Sequence, residues 1–137
     1  MKVTVIPNNG ESLNKKNKTI YNQCMWISIA DYLRNTSVLR ITSVAELREI
    51  AGMTHHTQNS LWDEDKPWAI KAITKLCNYF DLQIHIFYLT EIQDELFVHE
   101  DWIVNNKPIP RKIIGDGQNI VNIGNYDEHF ELILSFG

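Results

Sequence analysis

Cysteine and histidine are the residues of this chain whose positions indicate covalent chemistry. Cys24 follows the polar residues "NKTIYNQ" and begins the apolar stretch "CMWISIADYL", so it lies where a turn becomes a helix. Free N–H groups at a helix start carry partial positive charge, which lowers the pKa of a thiol and favours the nucleophilic thiolate. The same groups can stabilise an oxyanion. The position predicts a nucleophile, and a structural cysteine is the alternative until a base is found.

A thiolate catalyst needs a base, and among the five histidines His129 has the best context. It begins a predicted strand directly after a turn. Strand side chains alternate, so Glu131 lies on the same side of the strand, about 6.5–7 Å away along the backbone. Its carboxylate can orient the imidazole as in a catalytic triad; the alternative is an exposed His–Glu pair at a sheet edge. The remaining histidines lack metal-ligand spacing and are expected in loops or on a strand face: His55, His56, His85 and His99.

The elements that must position these residues can be inferred from hydrophobic periodicity. A strand is predicted over 3–6, and helices over Cys24 to Asn35, 43–52 and 65–80; Ser43 and Glu46 form a capping box. Strand character follows over 82–89 and over Trp102 to Val104. The segments "QNIVNIG" and "EHFELILSF" flank a turn at "NYD" and predict a hairpin. Helices followed by strands indicate an α+β fold.

Further residues receive structural predictions. Cys77 lies in mid-helix on an apolar face shared with Ile70, Ile73 and Phe80, and is expected to be a small buried hydrophobe. Trp26 and Trp68 are predicted to lie in or near the core, whereas Trp62 and Trp102 are expected to be exposed. The acidic stretch "TEIQDELFVHED" (90–101) is predicted to be a solvated surface.

Composition narrows the function classes. The 137 residues fit a single domain over 1–137, and the net charge of −4 without a long basic run disfavours nucleic-acid binding. No apolar stretch reaches the ~20 residues that a membrane helix needs, and the N-terminus resembles a strand and turn rather than a signal peptide. Two cysteines without a CxxC motif indicate a reduced site of action, so a cytoplasmic location is expected.

Three segments together resemble the OTU (ovarian tumour) domain family of papain-like cysteine proteases. "NQCMWISIADYL" is similar to the family's nucleophile segment, and "NIGNYDEHFELIL" is similar to its closing turn, histidine and last strand. "WAIKAITKLCNYFDLQIHIF" resembles the family's helix and central strand. The likeness covers about residues 19 to 135. It implies a papain-like fold, with a small central sheet packed between helices and the nucleophile at a helix N-terminus.

The resemblance implies a role for each matched residue. Cys24 would be the nucleophile, His129 the general base and acid, and Glu131 the residue that orients the imidazole. Main-chain N–H groups of Asn22, Gln23 and Cys24 would form the oxyanion hole. The sequence departs from the family at this turn, because Tyr21-Asn22-Gln23 stands where Asp-Gly-Asn is usual. Asp127, Glu128 and Asn125 are alternatives for the third triad member.

The resemblance also implies a substrate class. A member of this family would be a thiol-dependent deubiquitinase that cleaves the bond after the C-terminal glycine of ubiquitin or a ubiquitin-like modifier, including polyubiquitin chains. It would need no metal or organic cofactor. A compact viral or bacterial member would act in the host cytoplasm. Two alternatives stay open within the resemblance: a viral or bacterial protease that processes its own polyprotein, and an inactive OTU-fold module that binds ubiquitin. A third alternative is independent of it: a small structural α+β protein in which Cys24 would be buried and slow to alkylate.

Overall fold

The computed structural model describes residues 1–36 and 43–137, and the chain is α+β as the sequence predicts. Within these ranges three helices precede most of the sheet: α1 (Cys24–Thr36), α2 (Val44–Ile50) and α3 (Pro67–Phe80). None of the helices in the described ranges is both long and apolar enough to cross a membrane.

The strands form one central sheet and two short ribbons. The strands are β1 (Val3–Ile6), β2 (Ser12–Leu13), β3 (Thr19–Ile20), β4 (Leu82–Ile92), β5 (Glu95–Val98), β6 (Ile103–Val104), β7 (Lys107–Pro108), β8 (Lys112–Ile114), β9 (Asn119–Tyr126) and β10 (His129–Phe136). The central sheet has the order β1-β10-β9-β4-β5, and β8 also pairs with β4. The strands β4 and β9 run parallel, and the other pairs are antiparallel. Trp102, expected in a strand, ends a 3-10 turn before β6.

The helix predictions for α1 and α2 are confirmed by burial and capping. The apolar face of α1 is buried as its spacing predicts, and α1 packs against β10. At α2 the hydroxyl of Ser43 accepts the N–H of Glu46 at 3.2 Å, which satisfies one of the free donors at the helix start. The packing of α1 against β10 brings the helix that begins at Cys24 to the strand that begins at His129.

The buried face of α3 differs from the predicted one. Ile73 and Cys77 are buried as expected, but Ile70 and Phe80 are only partly buried. The helix instead places Ala69 and other residues against the core. Small side chains allow a helix backbone to approach the sheet closely, and periodicity in bulky residues alone does not reveal this.

The acidic stretch over 90–101 is largely exposed, as the sequence predicts, and most of it belongs to a hairpin. Strand β4 continues to Ile92, and Gln93 and Asp94 form a turn with φ values of 52° and 65°. Leu96 and Val98 on β5 are buried in a second core on the opposite face of the sheet from the helices. The charged residues on both sides of "LFV" concealed these two buried positions.

Trp62 is also buried, contrary to the expectation that it is exposed. Its Nε1 atom donates to the carbonyl oxygen of Ala69 at 2.9 Å, and its ring meets Phe130 edge-on at 5.5 Å between centroids. Phe130 lies next to His129 on β10. The polar loop over 53–65 therefore packs against the histidine strand through its one tryptophan.

Candidate active site

Cys24 occupies the first position of α1, where the sequence places it. The carbonyl oxygen of Gln23 accepts the N–H of Ile27 at 2.8 Å, so the helical hydrogen bonds begin directly before the cysteine. Asn22 has a φ of 62°, a left-handed conformation that Asn tolerates better than most residues. The chain thus turns sharply before the helix. The first N–H groups of a helix have no acceptor within it, which leaves the Cys24 N–H available beside its own thiol.

The two residues before Cys24 are held by other contacts. The Gln23 side chain is fully buried, and its Nε2 atom donates at 2.7 Å to the carbonyl oxygens of Tyr21 and Gln58. The main-chain N–H of Gln23 donates to the carbonyl oxygen of Gly10 at 2.8 Å. The Asn22 side chain donates to the carbonyl oxygen of Asn59 at 2.8 Å. Of the three residues expected at the oxyanion hole, Gln23 has its main-chain and side-chain donors engaged elsewhere.

His129 contacts both Cys24 and Glu131. It is the first residue of β10 and follows a two-residue turn at Asp127 and Glu128, whose φ values are 48° and 64°. Its Nε2 atom lies 3.2 Å from Glu131 Oε2, so Nδ1 is the nitrogen left for the thiol. The hydrogen bond with Cys24, followed by the one with Glu131, raises the pKa of His129 to about 10. A raised pKa favours the imidazolium, the form that stabilises a thiolate.

Glu131 is a buried carboxylate with a donor at each oxygen. It is 4% exposed, and Oε2 accepts the main-chain N–H of Asn8 at 3.0 Å in addition to facing His129. Oε1 accepts the hydroxyl of Tyr126 at 3.1 Å. Burial by itself raises the pKa of Glu131, but the hydrogen bonds from His129, Asn8 and Tyr126 outweigh burial and lower it. Hydrogen bonds to the charged form therefore keep the carboxylate ionised.

The alternatives for the third member of the triad lie in other positions. Asp127 and Glu128 are exposed in the turn. Asn125 accepts from Arg111 at 2.9 Å and donates to the main-chain oxygen of His129 at 3.1 Å, so its amide supports the backbone rather than the imidazole. Among these candidates, Glu131 is the residue in contact with the ring.

Sequence reasoning missed three residues that hold this site: Asn8, Tyr126 and Arg48. Tyr126 pairs with His129 across the hairpin, because the turn lies at Asp127 and Glu128 and not at "NYD" as predicted, so the predicted turn concealed this pair. Burial, followed by the charge of Glu131, raises the pKa of Tyr126 to about 12, which keeps its hydroxyl a donor. Arg48 donates to Gln23 and to the loop after α2. Asn8 and Arg48 carry no local pattern that indicates these contacts.

A cleft of about 470 Å³ is lined by Glu128 and Phe130, the two sequence neighbours of His129, but not by Cys24, His129 or Glu131 themselves. Its walls also include Glu64, which forms an ion pair with Arg111 at 2.7 Å. A second cavity of about 430 Å³ involves none of the residues Cys24, His129 and Glu131. In the described part of the chain, no group of three or more His, Cys, Asp or Glu residues is arranged to hold a metal ion.

The arrangement defines an α+β protein with a thiol, an imidazole and a carboxylate in hydrogen-bonded sequence. Such a set can deprotonate the thiol for attack on a carbonyl carbon and can return the proton to a leaving group. In comparisons with known proteins, no protein-family model, no curated protein and no solved structure matches the chain.

Proposed function

We propose that this protein is a cysteine hydrolase of the OTU type, which removes ubiquitin or a ubiquitin-like modifier. The observation that carries the proposal is the contact of His129 with both Cys24 and Glu131. A cysteine, a base and an orienting acid drawn from opposite ends of the chain are the parts of a thiol-dependent acyl transfer. The substrate class rests on the resemblance of the segments around Cys24 and His129 to the OTU family.

The first half of the reaction forms a thioester. His129 takes the proton of the Cys24 thiol, and the sulfur forms a bond to the carbonyl carbon after the terminal glycine of the modifier. The N–H of Cys24 at the helix start stabilises the oxyanion. The C–N bond then breaks, and the imidazolium of His129 gives its proton to the leaving lysine amine. Glu131 stabilises the imidazolium and fixes the ring orientation throughout.

The second half releases the modifier. Water attacks the thioester carbon while His129 accepts one of the water protons. The C–S bond breaks, the departing sulfur recovers a proton from His129, and the modifier leaves with a free carboxylate. Cys24 is buried, with 3% of its surface exposed, whereas 26% of the His129 side chain is exposed, so we expect the substrate carbonyl to approach from the histidine side.

A ubiquitin probe with an electrophile at its C-terminus tests this proposal by intact mass. Wild type is expected to form one adduct that is absent in Cys24→Ala and slower in His129→Ala. Cys77→Ala is the matched control, since the Cys77 thiol lies 3.7 Å from the carbonyl oxygen of Ile114 on β8 and its loss should leave the adduct intact. An adduct that survives Cys24→Ala would overturn the assignment of the nucleophile.

One observation favours a second candidate, an inactive OTU-fold module that binds ubiquitin. The main-chain and side-chain donors of Gln23 are engaged, so the oxyanion would rely on the helix-start N–H of Cys24. A folded wild-type protein that binds ubiquitin by calorimetry but forms no adduct would support this candidate. A panel of peptide and modifier substrates would separate a deubiquitinase from a polyprotein-processing protease. The second enzyme would cleave viral or bacterial polyprotein peptides and leave ubiquitin conjugates intact.

A further inference from the structure

Asn8 joins the N-terminal segment to the strand that carries the histidine. Its main-chain N–H donates to Glu131 Oε2 at 3.0 Å, and its Nδ2 atom donates to the carbonyl oxygen of Phe130 at 3.0 Å. The two contacts therefore hold both the carboxylate of Glu131 and the backbone one residue before it. Asn8 is half-buried, two residues after the end of β1.

The same asparagine is also linked to the turn before the nucleophile. Its Oδ1 atom accepts the N–H of Gly10 at 3.0 Å, which closes a side-chain turn typical of Asn. The carbonyl oxygen of Gly10 in turn accepts the N–H of Gln23 at 2.8 Å. Gly10 has a φ of +76°, a conformation that glycine adopts without strain. A continuous hydrogen-bonded path thus runs from Glu131 through Asn8 and Gly10 to the residue before Cys24.

We propose that Asn8 is a positioning residue, which fixes the carboxylate of Glu131 and the turn of Cys24 relative to each other. This inference rests on the proposed function only in that Cys24, His129 and Glu131 act together. Asn8 touches neither the imidazole nor the thiol in any contact that the structure describes.

The side chain of Asn8 matters because the hydrogen bond from its main-chain N–H to Glu131 is fixed only if the backbone at Asn8 is held rigidly. Any residue except proline could offer the N–H that Glu131 accepts, but the side chain of Asn8 holds that N–H in place through Phe130 and Gly10. Without this support the carboxylate of Glu131 loses a fixed donor and becomes free to move away from His129. Small displacements of catalytic groups lower rates steeply. A fixed Glu131 also stabilises the imidazolium, on which thiolate formation depends.

The neighbouring Asn9 provides a matched control. It is the same residue type one position later, it is exposed, and its side chain bonds only to Glu11 within the described contacts. Asn8→Ala and Asn9→Ala therefore remove the same atoms from adjacent positions, and only Asn8→Ala breaks the path between Glu131 and Gln23.

The test measures the alkylation rate of Cys24 by iodoacetamide at pH 6.5, with the pKa of His129 from NMR titration and the melting temperature of each variant. Asn8→Ala is expected to slow alkylation by about tenfold and to lower the pKa of His129. Asn9→Ala should stay within about twofold of wild type. Asn8→Ser keeps an oxygen that can accept the Gly10 N–H, so it should recover part of the rate.

The two readouts separate positioning from stability. A folded Asn8→Ala protein with a lower melting temperature but with unchanged alkylation and an unchanged His129 pKa would overturn the proposal, because Asn8 would then be structural only. Alkylation of Cys24 by iodoacetamide does not depend on recognition of ubiquitin. If the ubiquitin probe forms no adduct while Asn8→Ala still slows alkylation, the substrate assignment fails and the positioning role stands.

Discussion

Replacement of Glu131 by Gln removes the negative charge that lies 3.2 Å from His129 Nε2 and preserves the shape of the side chain. An opposite charge at such a distance shifts a pKa by about 1–3 units. Because 26% of the His129 side chain is exposed, solvent screens the pair, and the lower part of that range applies. A loss of about 1–2 units corresponds to about 1.4–2.7 kcal/mol of imidazolium stabilisation. The rate of adduct formation with the ubiquitin probe should therefore fall by about 10- to 100-fold.

The pH dependence follows from the direction of each shift. The pKa of His129 is raised to about 10 from its ordinary value of 6.5, so its stabilising contribution is complete below pH 6.5 and is lost as pH rises through 10. The pKa of Glu131 is lowered from 4.5, so its contribution is complete above pH 4.5 and is lost as pH falls. The stability difference between wild type and Glu131→Gln should be greatest between pH 4.5 and 6.5 and should shrink toward acid pH.

Two assays check the Glu131→Gln prediction. Stopped-flow kinetics with the ubiquitin probe should be measured from pH 5 to 10. The rate of adduct formation should decline at a pH about 1–2 units lower in the variant than in wild type. Urea unfolding at pH 3 and pH 6 gives the stability difference. Glu128→Gln is the matched control, because it is the same substitution at an exposed turn residue of the same hairpin. Equal kinetics and an equal His129 pKa in wild type and Glu131→Gln would refute the orienting role of Glu131.

Three further predictions concern other contacts of the fold. Cys77, whose burial raises its pKa to about 11, should be alkylated far more slowly than Cys24 at pH 7 in the folded protein, as peptide mass mapping would show; equal rates would argue against an activated Cys24. Arg48→Met should lower the free energy of unfolding by about 3 kcal/mol in urea titrations, because it leaves the buried carbonyl oxygen of Met53, 2.9 Å from Nη2, without its donor. Tyr126→Phe removes one donor to Glu131 and should slow the probe reaction by a smaller factor than Glu131→Gln, about three- to tenfold, measured in the same assay.

The local parts of the fold could be predicted because they depend on residues within one or two turns of each other. The apolar spacing of α1 over Met25 and Trp26, the Ser43 cap and the closing hairpin each follow from neighbouring residues. The burial of Trp62 and the β4–β5 hairpin could not be predicted in this way. Charged neighbours surround both, and only packing against distant strands makes their burial favourable.

The sequence by itself determined that a cysteine begins a helix and that a histidine and a glutamate share one side of the last strand. Only the tertiary structure decided that these two ends meet, because the pairing of β10 with β1 and the packing of α1 against β10 join residues more than one hundred positions apart. Tertiary packing also engaged the donors of Gln23 and brought Asn8 to Glu131. Such contacts depend on how buried polar groups find partners across the whole fold, and no local pattern records that choice.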